Sequence, residues 1–391
     1  MKRGILFVLL TVVVVGGALG SFTLDRWGIF MPQYKDDVDQ FMTSRLDAME
    51  VPGMAVGVVS ADGDMAWEGY YGTYDGENPV SEHTLFMIAS VSKTVIATAV
   101  MQLWEQGLFN LDDDINAYLD FEVRNPHHPA DAITFRQLMI HHSSITDRYP
   151  FYDDMYTIAD GGGDSPWALG EFFRAYLVPD GEFYSEDNYI EAAPGERFEY
   201  SNYGAALLAY LVEVLSGEDF PDYCRQHIFV PLGMEHSYFL LSEIPASETE
   251  LAYPFSGDGT ALPHYSYPDY PAGSLRTTIR DLARFAAFYL APAASDAAIL
   301  QPETVDLMFG EYGESTDSGE GQMGLIWTHM DWILFNAIGH TGGDPGVATN
   351  MLLYPDDGFA TIVFITGEPR SFMPMRSVTG RLRDVGLANV Q

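Results

Sequence analysis

Strand-forming segments at both ends of the chain are the feature that most restricts its fold. The early segments flank an Asp62-Gly63 turn and the late ones flank a turn ending at Gly358, which is typical of β-hairpins. The predicted strands are residues 54–59, 65–70, 333–338, 348–354 and 359–366. Because helical patterns fill the middle, the simplest fold is α/β (α+β), with one antiparallel sheet built from both chain ends and flanked by helices.

The middle of the chain is predicted to form an inserted helical lobe. The first helix is apolar on nearly every side and stops at Gly107, and Thr278 with Asp281 is expected to form a capping box for a later helix. The predicted helices are residues 94–106, 135–141, 203–215, 279–290 and 372–387. A poorly periodic, aromatic stretch at 147–193 is interpreted as a loop-rich excursion that can cover a site.

Two units follow from this pattern, an export segment and a catalytic domain. Residues 1–24 combine Lys2 and Arg3 with an apolar run and small residues near Ser21, as in a signal peptide. An uncleaved membrane anchor through residues 4–24 fits as well. Either way we expect an exported protein, periplasmic, extracellular or anchored facing outward. The domain spans 30–391, with a sheet lobe at 30–89 and 291–391 and the helical lobe at 90–290.

Charge and cysteine content exclude several functions. The 19 basic and 56 acidic residues give a net charge of −37, which excludes a nucleic-acid partner because such proteins present basic stripes. The acidity fits either a salty habitat or an ordinary soluble surface. Cys224 is the single cysteine and is interpreted as a core residue. Asp112 to Asp114 are interpreted as first-turn charges of a helix, and no metal or cofactor is expected.

Ser90 and Lys93 form the strongest chemical motif, Ser90-Val91-Ser92-Lys93. At the start of a helix, residues three apart share a face, so the hydroxyl lies beside an amine that can act as its base. The chain has only three lysines, and this one stands in an otherwise apolar helix, where an unpaired charge is costly. The alternative is a lysine that extends to solvent from the first turn.

Two further segments carry candidate site residues. Tyr200 and Asn202 precede an apolar helix, where a phenol can move a proton and a carboxamide can hold a substrate or orient Lys93. Asn202 can equally be an ordinary N-cap. The run from Gly339 to Gly343 closes a strand-like segment and either supplies an edge-strand N–H to an oxyanion or forms a turn.

The order of these motifs resembles the beta-lactamase-related serine hydrolases, which include class C beta-lactamases, D-alanyl-D-alanine carboxypeptidases and related esterases. Ser-x-x-Lys is followed by Tyr-x-Asn and by His-Thr-Gly, a variant of that family's Lys-Thr-Gly box. Residues 133–144, 231–234 and 272–275 are similar to the same family, and the resemblance runs from about Asp36 to the C-terminus.

The resemblance implies a role for each motif residue. Ser90 would be acylated while Lys93 and Tyr200 exchange its proton. The residues implied to bind substrate are Asn202, His340, Thr341 and Gly342. The backbone N–H groups of Ser90 and Gly343 would form the oxyanion hole. His340 replaces the usual lysine, which puts carboxylate recognition in doubt, and Ser144 replaces a usual glycine, which we interpret as a loop variation without functional consequence.

The expected function is therefore a serine hydrolase that cleaves a small ester, a D-amino-acid peptide or a beta-lactam through an acyl-enzyme. The alternative is a catalytically silent, secreted binding or scaffolding protein with the same fold. Retention of Ser90, Lys93, Tyr200 and Asn202 together favours the enzyme. The actual substrate and the oligomeric state stay open, because fold and motif define a reaction class and not a pocket.

Overall fold

A computed structural model describes residues 37–295, 297, 299–314, 321–332 and 335–390. The predicted export segment at 1–24 lies outside these residues. Within the described ranges, no helix is both long and apolar enough to cross a bilayer.

The main sheet joins the two ends of the chain, as predicted. The strands of the described residues are β1 Gly53–Ser60, β2 Met65–Gly72, β3 Phe86–Met87, β4 Ser237–Tyr238, β5 Arg276–Thr277, β6 Gly313–Glu314, β7 Gln322–Met323, β8 Thr328–Trp332, β9 Phe335–Asp344, β10 Val347–Tyr354 and β11 Phe359–Thr366. Eight of these strands form the main antiparallel sheet in the order β2-β1-β11-β10-β9-β8-β7-β6, and a small second sheet has the order β3-β5-β4. The N-terminal strand β1 pairs with the C-terminal strand β11 along their whole length, from Gly53 opposite Thr366 to Ser60 opposite Phe359.

Helices cover both faces of this sheet. They are α1 Val38–Met49, α2 Lys93–Glu105, α3 Phe135–Met139, α4 Phe151–Asp154, α5 Leu169–Leu177, α6 Asn202–Ser216, α7 Phe220–Cys224, α8 Val230–Leu232, α9 Ile279–Leu290, α10 Pro302–Met308 and α11 Phe372–Asn389. The first and last helices, α1 and α11, pack together on one face, while α9 packs on β1 and β11 from the other.

Burial on both faces explains why the central strands are mostly apolar. In β11, Ile362 and Phe364 belong to the large core shared with the helical lobe. Their neighbours Val363 and Ile365 belong to the smaller core under α1 and α11. Successive side chains of a strand point to opposite faces, so a strand with two buried faces is apolar at most positions on both of them.

The helix predictions are largely confirmed, with local differences. The helix predicted at 135–141 ends at Met139, since His141 has a left-handed φ of 56°. Thr278 caps α9 by accepting from the Asp281 N–H, but the Asp281 carboxylate accepts instead from the His236 N–H, so the predicted capping box is only half formed. Cys224 is buried, as predicted.

Two other predictions need correction. Of the strand predicted at 333–338, residues 333–334 lie outside the described residues and the rest belong to β9, which continues to Asp344. The interpretation of the Gly339 to Gly343 run as part of a strand is confirmed, and the alternative of a turn is wrong. The three aspartates at 112–114 do not open an α-helix. Asp114 caps a 3-10 turn beginning at Ile115, and Asp112 pairs with Arg136 at 2.7 Å.

Candidate active site

Ser90 lies in a one-turn 3-10 helix directly before α2. The preceding Ala89 has a left-handed φ of 47°, which is uncommon for a residue with a side chain. Its neighbour Ile88 is held from two sides, because the Ile88 N–H donates to the Leu275 carbonyl at 2.9 Å and its own carbonyl accepts from Thr349 Oγ1 at 2.7 Å. The surrounding structure thus holds a strained backbone beside Ser90, as is common at functional sites.

Lys93 is the first residue of α2 and is completely buried. Its Nζ donates to Ser90 Oγ at 2.9 Å, to Asn202 Oδ1 at 2.7 Å and to the Ala272 carbonyl at 2.9 Å. Three acceptors match the three N–H bonds of the ammonium form, and these hydrogen bonds offset the desolvation cost of burying the charge. The alternative of a lysine extending to solvent is therefore wrong.

Asn202 is held in one orientation by Asp147. Ser201 is the N-cap of α6, so the interpretation of Asn202 as the cap is wrong. The Asp147 carboxylate accepts from Asn202 Nδ2 and from the Asn202 N–H, both at 2.8 Å, and also from Ser201 Oγ and the Tyr203 N–H. With its amide nitrogen turned to Asp147, the Asn202 side chain presents Oδ1 to Lys93. Burial raises the pKa of Asp147, against the effect of these hydrogen bonds.

Tyr200 stands between Lys93 and His141. Lys93 Nζ lies 5.2 Å from the centroid of the phenol ring, which stacks on the His141 imidazole at a centroid distance of 4.3 Å. His141 Nδ1 accepts from the Ser201 N–H at 3.2 Å. Burial and the nearby Lys93 charge hold the pKa of His141 well below its usual range, so the ring under Tyr200 is neutral.

Strand β9 brings its glycines against the turn that carries Ser90. A Cβ on Gly342 would lie 2.5 Å from the Ile88 carbonyl oxygen and 2.3 Å from Thr349 Oγ1, so only glycine permits this approach. Strand β8 pairs with β9 only as far as Gly339, which leaves the following residues without a strand neighbour on that side within the described pairings. Gly343 and Ser90 line the same cavity, as an oxyanion hole requires.

His340 is buried, whereas a side chain that binds substrate directly would be exposed to the cavity. Its side chain is only 5% exposed, and Nδ1 donates to the Thr341 carbonyl at 2.6 Å. Burial, together with the charge of Lys93, lowers its pKa to about 4. The imidazole is consequently neutral at physiological pH and supplies no cation to the site.

A cavity of about 420 Å³ opens over Ser90. Its wall combines the predicted Ser90, Tyr200, Asn202 and Gly343 with acidic and tyrosine side chains. The full lining is Ser90, Thr146, Asp147, Tyr149, Tyr152, Tyr156, Glu199, Tyr200, Asn202, Tyr267, Gly343 and Asp344. Lys93 lies beneath this wall, whereas His340, Thr341 and Gly342 are outside the lining set.

The sequence analysis missed several of these residues. Asp147 and Asp344 had available signals, since one begins the aromatic excursion and the other directly follows Gly343. The excursion itself supplies Tyr149, Tyr152 and Tyr156 to the wall, which agrees with its interpretation as a segment that covers a site. Nothing local indicated that the Ala272 carbonyl would accept from Lys93. Among the residues that the structure describes, no group of acidic, histidine or cysteine side chains is arranged to hold a metal ion.

The backbone conformation at Ser144 favours glycine, the residue that the resemblance implies at this position. Its φ is 66°, in the left-handed region that a residue with a side chain adopts at some cost. The Ser144 hydroxyl accepts from Asn125 Nδ2 at 2.9 Å, and the same amide donates to the Ile190 carbonyl. This contact offsets part of that cost and ties the loop to the excursion.

Comparison with known proteins places the chain in a family. The family model described as Beta-lactamase matches residues 38–381. Protein flp of Staphylococcus aureus (strain MW2) is 22% identical over 332 residues, which are 84% of this chain and 62% of that protein. The chain thus spans about three-fifths of the length of that curated relative.

Two solved structures show the same fold. The octameric penicillin-binding protein homologue from Pyrococcus abyssi superposes with a TM-score of 0.74 at 24% identity, covering 92% of this chain and 79% of that one. A class C beta-lactamase superposes with a TM-score of 0.72 at 20% identity, covering 90% and 96%. The chain, with its antiparallel sheet built from both ends, therefore belongs to the Beta-lactamase family.

Proposed function

We propose that the protein is a serine hydrolase that forms an acyl-enzyme on Ser90 and cleaves an ester or amide. The observation that carries this proposal is the hydrogen-bonded set of Ser90, Lys93 and Asn202 at the base of a cavity. Such a set of a hydroxyl, an adjacent amine and an orienting third group is the geometry of an activated nucleophile.

The proposed reaction has two halves. Ser90 Oγ bonds to the substrate carbonyl carbon, and its proton passes to the Lys93 and Tyr200 pair. The N–H groups of Ser90 and Gly343 hold the oxyanion. The bond to the leaving group then breaks, and the leaving group takes the proton. Water repeats the sequence and releases the acid and the free Ser90 hydroxyl.

In this proposal Lys93 and Tyr200 take different steps of the proton transfer because they occupy different positions in the site. Nζ contacts three oxygen atoms, those of Ser90, Asn202 and Ala272. In its amine form Lys93 keeps two N–H bonds directed to Asn202 and Ala272, while its lone pair faces Ser90 Oγ and accepts the hydroxyl proton. Tyr200 borders both the cavity and Lys93, and its side chain is 39% exposed. This position supports a role for the phenol in carrying protons between Lys93 and the leaving group or water.

The test is covalent labelling followed by intact mass. Activated esters, a D-alanyl-D-alanine peptide, a chromogenic beta-lactam and a phosphonate would be incubated with the wild type, Ser90→Ala and Ser247→Ala. The control serine is exposed on a loop. We expect one adduct on the peptide containing Ser90, lost only in Ser90→Ala. Labelling of another residue that persists in Ser90→Ala would refute Ser90 as the nucleophile, whereas no adduct and no turnover with any reagent would support the silent binding protein.

A further inference from the structure

The cavity over Ser90 has an unusual charge balance. Three carboxylates, Asp147, Glu199 and Asp344, line it, and no lysine, arginine or histidine is in the lining set. Lys93 lies just beneath, but its Nζ is fully engaged with Ser90, Asn202 and Ala272.

The three carboxylates differ in their hydrogen-bond and ion-pair partners. Asp147 is occupied by four hydrogen bonds at the start of α6. Glu199 is paired with Arg197 at 2.9 Å. Asp344 instead accepts from two phenols, Tyr156 at 2.7 Å and Tyr267 at 2.8 Å.

Asp344 has no ion pair with any described cationic side chain, and Lys93 and Arg276 act on its carboxylate only through space. Burial raises the pKa of Asp344 and also those of Tyr156 and Tyr267, so both phenols stay protonated as donors. A partly buried carboxylate whose hydrogen-bond partners are neutral gains much from a cation brought in by a ligand.

Tyrosine rings surround this carboxylate. Tyr156 lies 4.9 Å from Tyr267 and 5.7 Å from Tyr152 between ring centroids, and Tyr149 follows at 5.4 Å from Tyr152. Tyr149 is 61% exposed and stands at the cavity mouth. Aromatic rings beside an anionic group form the environment that holds ammonium groups through cation–π attraction.

We propose that the cavity binds a positively charged group of the substrate, a primary or quaternary ammonium, against Asp344 and the tyrosines around it. This rests on the proposed hydrolysis at Ser90 and names its substrate class. Asp344 is thereby a specificity-determining residue. It directly follows Gly343, so the bound cation lies within a short distance of the scissile carbonyl. Carboxylate-bearing substrates are disfavoured by the same charge.

The experiment compares three aryl esters of matched length, whose acyl chains end in trimethylammonium, tert-butyl or carboxylate. A second set carries the same groups on the alcohol side, so that both sides of the scissile bond are sampled. In at least one set we expect kcat/KM to fall in the order trimethylammonium, tert-butyl, carboxylate. Asp344→Asn keeps the side-chain shape, and it should reduce the preference for the cation over tert-butyl by about 10- to 100-fold.

Two controls distinguish binding of the cation at Asp344 from the long-range electrostatic attraction that any acidic protein exerts on cations. Asp306→Asn removes the same charge from an exposed position on α10 and should leave the preference unchanged. Raising the salt concentration to about 1 M should weaken a diffuse field far more than a contact inside the cavity. A preference that survives in Asp344→Asn, or that disappears at high salt in the wild type, would overturn the proposal.

A binding measurement keeps this inference separable from the proposed function. Benzyltrimethylammonium should raise the melting temperature of the wild type and of Ser90→Ala, and it should do so less in Asp344→Asn. If all esters were inert while this shift remained, hydrolysis at Ser90 would fail and the cation site would stand. If the neutral esters were cleaved at least as fast as the cationic ones in both sets, the cation site would fail and the hydrolase would stand.

Discussion

Lys93 shows how one buried charge organises a site at the scale of a residue. Its Nζ is completely buried and joins Ser90 on its own helical turn to Asn202, which is 109 positions away in sequence. Leaving such an ammonium without acceptors would cost several kcal/mol, so the acceptors and the lysine require each other. This mutual requirement explains why a chain with three lysines has one in an apolar helix.

Tyr200→Phe tests the proton path. The variant removes one hydroxyl and keeps the ring that stacks on His141, so the fold should be unchanged. We expect kcat to fall by roughly 10² to 10⁴, the usual effect of losing a positioned acid-base group. Steady-state turnover of an activated ester, with circular dichroism as the folding control, measures this. Activity within a few-fold of wild type would remove Tyr200 from the mechanism.

His340 predicts a pH dependence of stability. Its folded-state pKa of about 4 lies below the ordinary 6.5, so between these two pH values the imidazole is protonated in the unfolded chain and neutral in the folded chain. The free energy of unfolding is therefore unaffected by this residue above about pH 6.5. It falls as the pH is lowered towards about 4, by at most about 3 kcal/mol. Because glutamine does not titrate, His340→Gln should lose less stability over that window in urea unfolding. Parallel losses in both proteins would contradict the assignment.

At the scale of an element, the N-terminus of α6 is organised by Asp147. This carboxylate accepts from two backbone N–H groups of the first turn and from the Asn202 amide. A carboxylate at a helix N-terminus satisfies unpaired N–H donors and also favours the helix dipole. The same contacts therefore stabilise α6 and aim Asn202 at Lys93.

Asp147→Asn should damage both functions of this residue. An amide nitrogen would face donors that now meet a carboxylate oxygen, costing about 1 to 3 kcal/mol of stability. We expect urea unfolding to show that loss and kcat to fall at least tenfold with a smaller change in KM, since orientation of Asn202 acts on Lys93. Thr278→Ala, which removes the cap of α9 away from the site, is the control and should lower stability alone. Equal effects of both variants on kcat would show that Asp147 is only structural.

At the scale of the whole molecule, a net charge of −37 sets up self-repulsion. Raising NaCl from about 0.1 M to about 1 M shortens the screening length from about 10 Å to about 3 Å, so the melting temperature should rise. Differential scanning calorimetry across a salt series measures this. Sucrose at matching osmolality controls for solute exclusion. A melting temperature that does not rise with salt would show that repulsion is unimportant for this fold.

Export is a second prediction for the whole chain. Residues 1–24 combine basic residues with an apolar run, so we expect the protein outside the cytoplasm. N-terminal sequencing of exported material should find a start near Ser21 if the segment is cleaved, or at Met1 if it anchors the protein. A full-length product in the soluble cytoplasmic fraction would contradict both versions.

The sequence alone predicted the features that depend on neighbours in the chain. Ser90 and Lys93 share a helical face because they are three residues apart, and Gly107 marks the helix end through its own backbone preference. Strands β1 and β11 were recognisable because both of their faces are buried, which makes them apolar at most positions. Their closure into one sheet followed from the need to bury those faces.

Only the tertiary structure decided the electrostatics and the shape of the cavity. Whether Asp344 meets phenols or an arginine, and whether His340 is a cation or a neutral buried ring, depends on segments far apart in sequence. Asn202 was identified in the sequence, but its orientation depends on Asp147, which is 55 positions earlier. Local preferences extend over a few residues, whereas burial, which sets charge states and pairs distant groups, exists only once the chain has packed.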